Sequence, residues 1–313
     1  MGKGLGSVAA KILLDRQECP LKRTGTKDFI ALIQSMLKGF KNFDPPTKKK
    51  LTCHPDLPAC AVEYAYKGHP SVVRQATADL ICIAFYYLLR IGEYTTKTKR
   101  KKKTRTRQFR MKDVTFFKYN DSGLLVALSR NASDEEILKA DAANLRISNQ
   151  KNGHAGACVH HHAIEGNPLA CPVRALGRRF CHIRQHTSSG KAFICAYWDK
   201  AGYGNVSDDQ VRFTVKFAAK ALRYENRGIP IDRIDTHSLR SGGACALKLA
   251  GYDDVAIRKM GRWAPKSNAF LEYIHNQLSN FSAGASTRMN SVAHFTNMKR
   301  NVEREDLQGQ TLF

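Results

Sequence analysis

The stretch whose reading decides the fold runs from residue 237 to residue 274, HSLRSGGACALKLAGYDDVAIRKMGRWAPKSNAFLEYI. Asp235 and Thr236 just ahead of it open a helix, which continues to a stop at Gly251. A short helix, DDVAIRKM, ends at Gly261. Trp263 and Pro265 then make a turn, and SNAFLEYIHNQL forms one more helix. His237 and Arg240 stand at i and i+3, so they share one helix face near its N-terminus. Both side chains can donate to an oxyanion, and the unsatisfied N–H groups and dipole of a helix start favour the same anion. Taken alone, His-x-x-Arg arises by chance and reads as a solvated face.

The charge of the whole chain gives that anion site a context. The 313 residues include 51 Lys and Arg against 27 Asp and Glu, a net charge of +24. Such an excess opposes compaction unless a polyanion shares it, and nucleic acid gains affinity by releasing its condensed counterions. An apolar fraction of 42% is enough to bury a sizeable core. Nine cysteines, an odd number without regular spacing, exclude a disulfide scaffold and point to a reducing, intracellular compartment. No signal peptide is legible at the start. The longest apolar run, around Leu80–Leu89, is too short to span a bilayer, so no membrane partner is expected.

Upstream, residues 27–40 carry apolar side chains at helical spacing, and Asn42 to Lys50 reads as a Pro- and Lys-rich linker. A helix is predicted from Ser71, its cap, to Tyr94. The run from Thr95 to Arg110 is dense in Lys and Arg with no acid. It reads as a solvated loop, a DNA-contacting arm or a nuclear localisation signal, three compatible roles. Strand character follows at 111–117, 123–129, 144–150 and 156–161, with Asn152-Gly153 marking a hairpin turn between the last two. From Pro172 the pattern is helical again. Ser207 caps a segment that Gly228 would stop. The fold class expected is therefore mainly α with a small antiparallel β-sheet.

The 237–274 stretch resembles the closing region of tyrosine recombinases, and specifically their Cre-like catalytic domain. Along it stand His-x-x-Arg, a helix ending in Gly, a short helix, a Gly-x-Trp turn and a helix bearing Tyr273. His237 and Trp263 are 26 residues apart, with Tyr273 ten further on, intervals that fit the family. The family's upstream arginine sits in a Leu-Arg-x-x-Glu context, matched here by Arg90 and Glu93 in LLRIGEY. Its lysine sits on a turn between two strands, matched by Lys151 in QKNG. The extra length between them falls in the basic loop and in SRNASDEEILKADAA, residues 129–143. The QKNG and GRW segments look closest to recombinases of DIRS-like or Crypton-like eukaryotic mobile elements.

The resemblance implies a DNA breaking-rejoining enzyme that forms a 3′-phosphotyrosine through Tyr273. Arg90 and Arg240 would clamp the non-bridging oxygens with permanently charged planar forks. His237 would donate a hydrogen bond and shuttle a proton. Trp263 can only donate, through its indole N–H. Lys151 would protonate the departing 5′-oxygen, and Glu93 would orient the basic groups. No metal or other cofactor is implied. Lys99, Arg100, Lys101, Lys102, Lys103, Arg105 and Arg107 would contact DNA. Double-stranded DNA and a homotetramer assembled on it are the expected partners, in the nucleus if the host is eukaryotic.

Residues 1–43 are read as a short helical remnant of a core-binding domain, 44–283 as the catalytic domain and 284–313 as a polar tail. The first segment is too short for the clamp-closing helical domain of the family, so the chain is expected to be a fragment, a truncated copy or one that relies on a partner. Competing assignments are Lys139 for the lysine and Tyr224 or Tyr252 for the nucleophile. Cys158, His160, His161, His162 and Cys171 invite a zinc reading but lack the four-ligand spacing, and exposed histidines near DNA are expected instead. Two other activities stay open: a type IB topoisomerase, and a non-enzymatic DNA-binding protein derived from a mobile element.

Overall fold

The computed structural model describes residues 35–36, 50–68, 70–97, 107–147, 156–264 and 271. The chain divides into two units, Met1–Lys49 and Lys50–Phe313. The second unit holds the sheet and the long helices. The N-terminal helix over 27–40, the linker and the tail fall outside the described residues, apart from two helical residues at 35–36.

Helix α1 spans Asp56–Glu63 and α2 spans Val72–Tyr86. Ser71 caps α2 by accepting from the Arg74 N–H at 3.2 Å, as its sequence position predicts. Ten consecutive α2 residues, Ala76 to Phe85, are buried, Thr77 and Asp79 among them, so α2 is enclosed on every side and forms the centre of the unit. The predicted continuation to Tyr94 is broken. Leu88, fully buried, turns left-handed at φ +50°, and Arg90 caps a separate short helix α3, Ile91–Tyr94.

A four-stranded antiparallel sheet comes next, with β1 Val114–Tyr119, β2 Leu125–Ala127, β3 Ala142–Arg146 and β4 Cys158–His162 in the order β2-β1-β3-β4. All four lie within or beside the predicted strand segments. Between β2 and β3 stands helix α4, Asp134–Leu138, in the stretch that reads from sequence only as extra length. Ser133 and Glu136 cap it reciprocally. The β3–β4 hairpin stays paired to its end, with Ile147 N–H donating to the Ala157 carbonyl at 2.8 Å. Residues 148–155, which include Lys151 and the expected Asn152-Gly153 turn, lie outside the described residues.

Helix α5, Pro172–His186, packs on α2, and a buried ion pair joins them. Arg178 donates to Asp79 Oδ1 through Nε at 2.9 Å and Nη2 at 2.6 Å, while Tyr66 donates to Oδ2. A second hairpin, β5 Ala196–Asp199 and β6 Gly202–Asn205, is absent from the sequence expectation. Helix α6, Asp208–Ala221, is capped by Ser207 as expected, but it ends before Gly228, which instead terminates a 3₁₀ turn at φ +74°.

Helices α7, Thr236–Leu249, and α8, Asp254–Gly261, follow. Two consecutive glycines inside α7 lower its helix propensity by about 1 kcal/mol each relative to alanine. The reason is close packing on two sides. A Cβ on Gly242 would strike the Cys53 carbonyl, and one on Gly243 would strike the Phe85 carbonyl and the Leu88 side chain. The glycines let α7 lie directly against the end of α2, which brings Arg240 beneath the Leu88 turn. Among the described residues, no helix is long and apolar enough to cross a membrane.

Candidate active site

Asp235 caps α7 by accepting from the Thr236 N–H at 2.6 Å, and Ser238 Oγ accepts from the Asp235 N–H at 3.0 Å. That cap places His237 in the first turn and Arg240 one turn along. Arg240 is buried, at 2% exposure, and its guanidinium donates to the carbonyls of Leu88 and Gly261. It also lies over the Trp263 ring, 4.3 Å from the centroid. Trp263 itself is buried against Gly261, where any Cβ would overlap its ring.

Arg90 arrives from the other side. Its backbone N–H donates to Glu93 Oε2 at 2.9 Å, and its Nη1 to Glu93 Oε1 at 3.1 Å. Its Nη2 donates to the Arg262 carbonyl at 3.4 Å. Arg240 and Arg90, 150 positions apart in sequence, thus donate to the carbonyls of neighbouring residues, 261 and 262, at the C-terminal end of α8. That is the electronegative end of a helix, where unsatisfied carbonyls attract cations. The Arg90 side chain keeps 27% of its surface exposed.

A third guanidinium, that of Arg262, is not among the residues the sequence reading singles out. It is 2% exposed, left-handed at φ +57°, and caps the end of α8. Its Nη2 donates to Glu93 Oε2 at 2.9 Å and to the Leu88 carbonyl at 3.1 Å, and its Nη1 to the Tyr87 carbonyl at 3.2 Å. Burial pushes this guanidinium below its ordinary pKa. Glu93 opposes that shift, and the Arg90 charge adds to it. The one available signal is position: an arginine between a helix-ending glycine and a tryptophan is poorly placed to reach water.

Two of the three arginines, Arg90 and Arg262, pair with the fully buried carboxylate of Glu93, and with Arg240 close by the cluster carries a net charge of +2. Such a concentration of like charge is tolerated because backbone carbonyls at residues 87, 88, 261 and 262 accept from it. His237 is exposed at the surface, yet desolvation by the surrounding protein lowers its pKa. The charges of Arg240 and Arg90 act the same way, while Asp235 opposes them. The imidazole is therefore biased toward its neutral form beside the cluster.

Of the predicted site residues, Arg90 contacts Glu93 and Arg240 contacts Trp263, the two pairs meeting at the carbonyls of residues 261 and 262, with His237 in electrostatic reach of both arginines. Lys151, Tyr273, Lys99, Arg100, Lys101, Lys102, Lys103 and Arg105 lie outside the described residues. Arg107 is described and exposed. With Lys97, Arg110, Gly92 and Phe193 it lines a cleft of ≈ 310 Å³ at the foot of the basic run, beginning two residues after Arg90.

Two of the competing residues, Tyr224 and Lys139, have other occupations, while Tyr252 is exposed. Tyr224 donates to Asp56 Oδ1 at 2.7 Å and accepts from the His54 N–H, a tie that anchors α1. Lys139 pairs with Glu135 at 2.6 Å on the surface. Strand alternation splits the histidines of β4. His160 and His162 lie beside Phe117 and Tyr119, while His161 packs inward on Tyr87. Among the described residues, no three His, Cys, Asp or Glu side chains converge as metal ligands would.

No protein-family model matches the sequence, and no curated protein does. Solved structures do resemble the chain. XerA recombinase is 14% identical with a TM-score of 0.41, over 77% of this chain and 65% of that one. XerH site-specific recombinase, bound to a palindromic difH substrate in a post-cleavage complex, is 14% identical with a TM-score of 0.46, over 88% and 63%. The Tn1549 transposon integrase, in complex with circular intermediate DNA, is 13% identical with a TM-score of 0.39, over 81% and 71%. The chain thus covers slightly less than two thirds of the first two recombinases.

Proposed function

We propose that this chain is a tyrosine recombinase or integrase that cuts and rejoins DNA through a 3′-phosphotyrosine link at Tyr273. The observation that carries the reading is the convergence of Arg90 and Arg240 on the end of α8, with His237 and Trp263 beside them. A net charge of +2 held in a partly desolvated setting suits a phosphodiester whose non-bridging oxygens gain charge in the transition state.

In this reading the phenolic oxygen of Tyr273 attacks phosphorus. The new P–O(Tyr) bond forms as the bond to the 5′-oxygen breaks. The phenolic proton passes to the neutral imidazole of His237, whose lowered pKa keeps it able to accept near neutral pH. Lys151, on the β3–β4 connection, protonates the departing 5′-oxygen. Arg90 grips a non-bridging oxygen at the surface, Arg240 adds charge from below, and Trp263 donates its N–H. Religation runs the same steps in reverse, because phenolate is a better leaving group than an alkoxide. Lys99, Arg100, Lys101, Lys102, Lys103, Arg105 and Arg107 hold flanking phosphates, and strand exchange takes place in a tetramer on double-stranded DNA.

A duplex nicked just beyond the cleavage site tests the reading, because loss of the short fragment traps the enzyme on DNA. The expected result is a covalent adduct that Tyr273→Phe abolishes. Salt-sensitive binding with no adduct would make the chain a DNA-binding protein instead. Relaxation of supercoiled plasmid without recombinant products would make it a topoisomerase.

A further inference from the structure

We infer that Arg262 is a positioning residue that divides the charge of Glu93, so that Arg90 keeps enough positive charge to hold a phosphate. This inference rests on the reading of Arg90 as a phosphate ligand.

The carboxylate of Glu93 is fully buried and serves two guanidiniums in different ways. Its Oε1 accepts from Arg90 Nη1 at 3.1 Å. Its Oε2 accepts from the Arg90 backbone N–H and from Arg262 Nη2, both at 2.9 Å. The Arg90 side chain is therefore held at one oxygen only. An arginine and a carboxylate left to themselves favour a two-pronged pair. That pair would cancel the Arg90 charge and turn its donors inward.

Arg262 prevents this by holding the second oxygen. The Tyr87 and Leu88 carbonyls fix its own fork, and its carbonyl accepts from Arg90 Nη2. Arg262 thus acts on Arg90 twice, through the shared carboxylate and through its own carbonyl.

Fold stability does not explain the arrangement by itself. A non-glycine residue in the left-handed region costs about 1 kcal/mol, and glycine would adopt φ +57° without strain. Burying a guanidinium costs several kcal/mol more, which a buried ion pair seldom recovers in full. What the pair secures is a fixed geometry around Arg90 together with a net positive charge.

The test reads phosphate binding directly, apart from cleavage. Arginine Nε–Hε NMR resonances of the full chain are followed during titration with inorganic phosphate, in wild type, Arg262→Gly and Arg262→Lys. Arg262→Gly removes the counter-charge without backbone strain and is expected to weaken phosphate binding at Arg90 by about tenfold. Arg262→Lys keeps the charge and is expected to stay within about threefold of wild type. Adding Glu93→Gln to Arg262→Gly removes the competing carboxylate and is expected to restore part of the affinity, which a merely structural role would not do. If Arg262→Gly does not fold, Arg262→Gln carries the same expectation.

Unchanged affinity in a folded Arg262→Gly or Arg262→Gln protein would overturn the inference, as would a wild type whose Arg90 does not respond to phosphate. The nicked-duplex assay decides the other question. A missing adduct with these phosphate effects intact refutes the cleavage reading alone.

Discussion

Replacing Glu93 by glutamine is expected to destabilise the fold through one buried group, the Arg262 guanidinium. The carboxylate now accepts from Arg90 Nη1, the Arg90 N–H and Arg262 Nη2, at 3.1, 2.9 and 2.9 Å. Glutamine keeps a single acceptor oxygen and turns an NH₂ toward one of the guanidiniums, and it carries no charge. Arg90 can relax toward water because it is partly exposed, but Arg262 cannot. Breaking a buried pair from one side costs about 3–5 kcal/mol. The Tyr87 and Leu88 carbonyls still accept from Arg262, so the lower end applies, about 3 kcal/mol. For a unit of this size about 1 kcal/mol moves Tm by roughly 2–4 °C. The expected fall is therefore about 6–12 °C, read as a thermal melt by circular dichroism. Adding salt should change it little, since buried charges are weakly screened. Arg262→Met in the Glu93→Gln background removes the stranded charge and is expected to recover about half of the loss. A Glu93→Gln protein melting within about 2 °C of wild type would refute the reasoning.

Gly243→Ala should destabilise by about 3 kcal/mol, because its Cβ would meet the Phe85 carbonyl and Leu88. An exposed helical glycine behaves oppositely, gaining about 1 kcal/mol on the same change, so the sign in a denaturant titration tests the packing. His161 gives a pH test. Burial lowers its pKa to about 4 against a usual 6.5, so the unfolded chain protonates first as pH falls. The stability at stake is about 3 kcal/mol, lost progressively from pH 6.5 down to about 4 and constant below. His161→Phe should flatten that part of the stability profile, and an unaltered slope would show that other groups cause it.

The parts of the fold that are legible in the sequence are those governed by local chemistry. Ser71, Ser207 and Asp235 cap their helices where their side chains predict, and Gly251 follows α7 at φ +90°. The helix break at Leu88 is not legible. Nothing local places a leucine at φ +50°, and the distant Arg240 and Arg262 that its carbonyl receives complete the arrangement. For α4 the signal is present, since Ser133 and Glu136 form a capping box, but the segment reads as an insertion when set beside the family pattern. The β5–β6 hairpin and the early end of α6 also escape a reading of the sequence. The latter depends on Arg223 turning left-handed at φ +52°. In the site, the resemblance to the family pattern leads to Arg90, Glu93, His237, Arg240 and Trp263. Arg262 escapes because its importance comes from a carboxylate 169 positions away.

The Leu88 turn has a bearing on how such a domain can age. Its single carbonyl oxygen fastens Arg240 of α7 and Arg262 at the end of α8 to the end of the central helix. A variant that loses the partly exposed Arg90 keeps this inner arrangement, but losing Glu93 or Arg262 leaves a charge stranded inside. Sequences that drift from this one should therefore keep the hidden ionic knot whole or lose both of its partners together, whatever becomes of the surface around it.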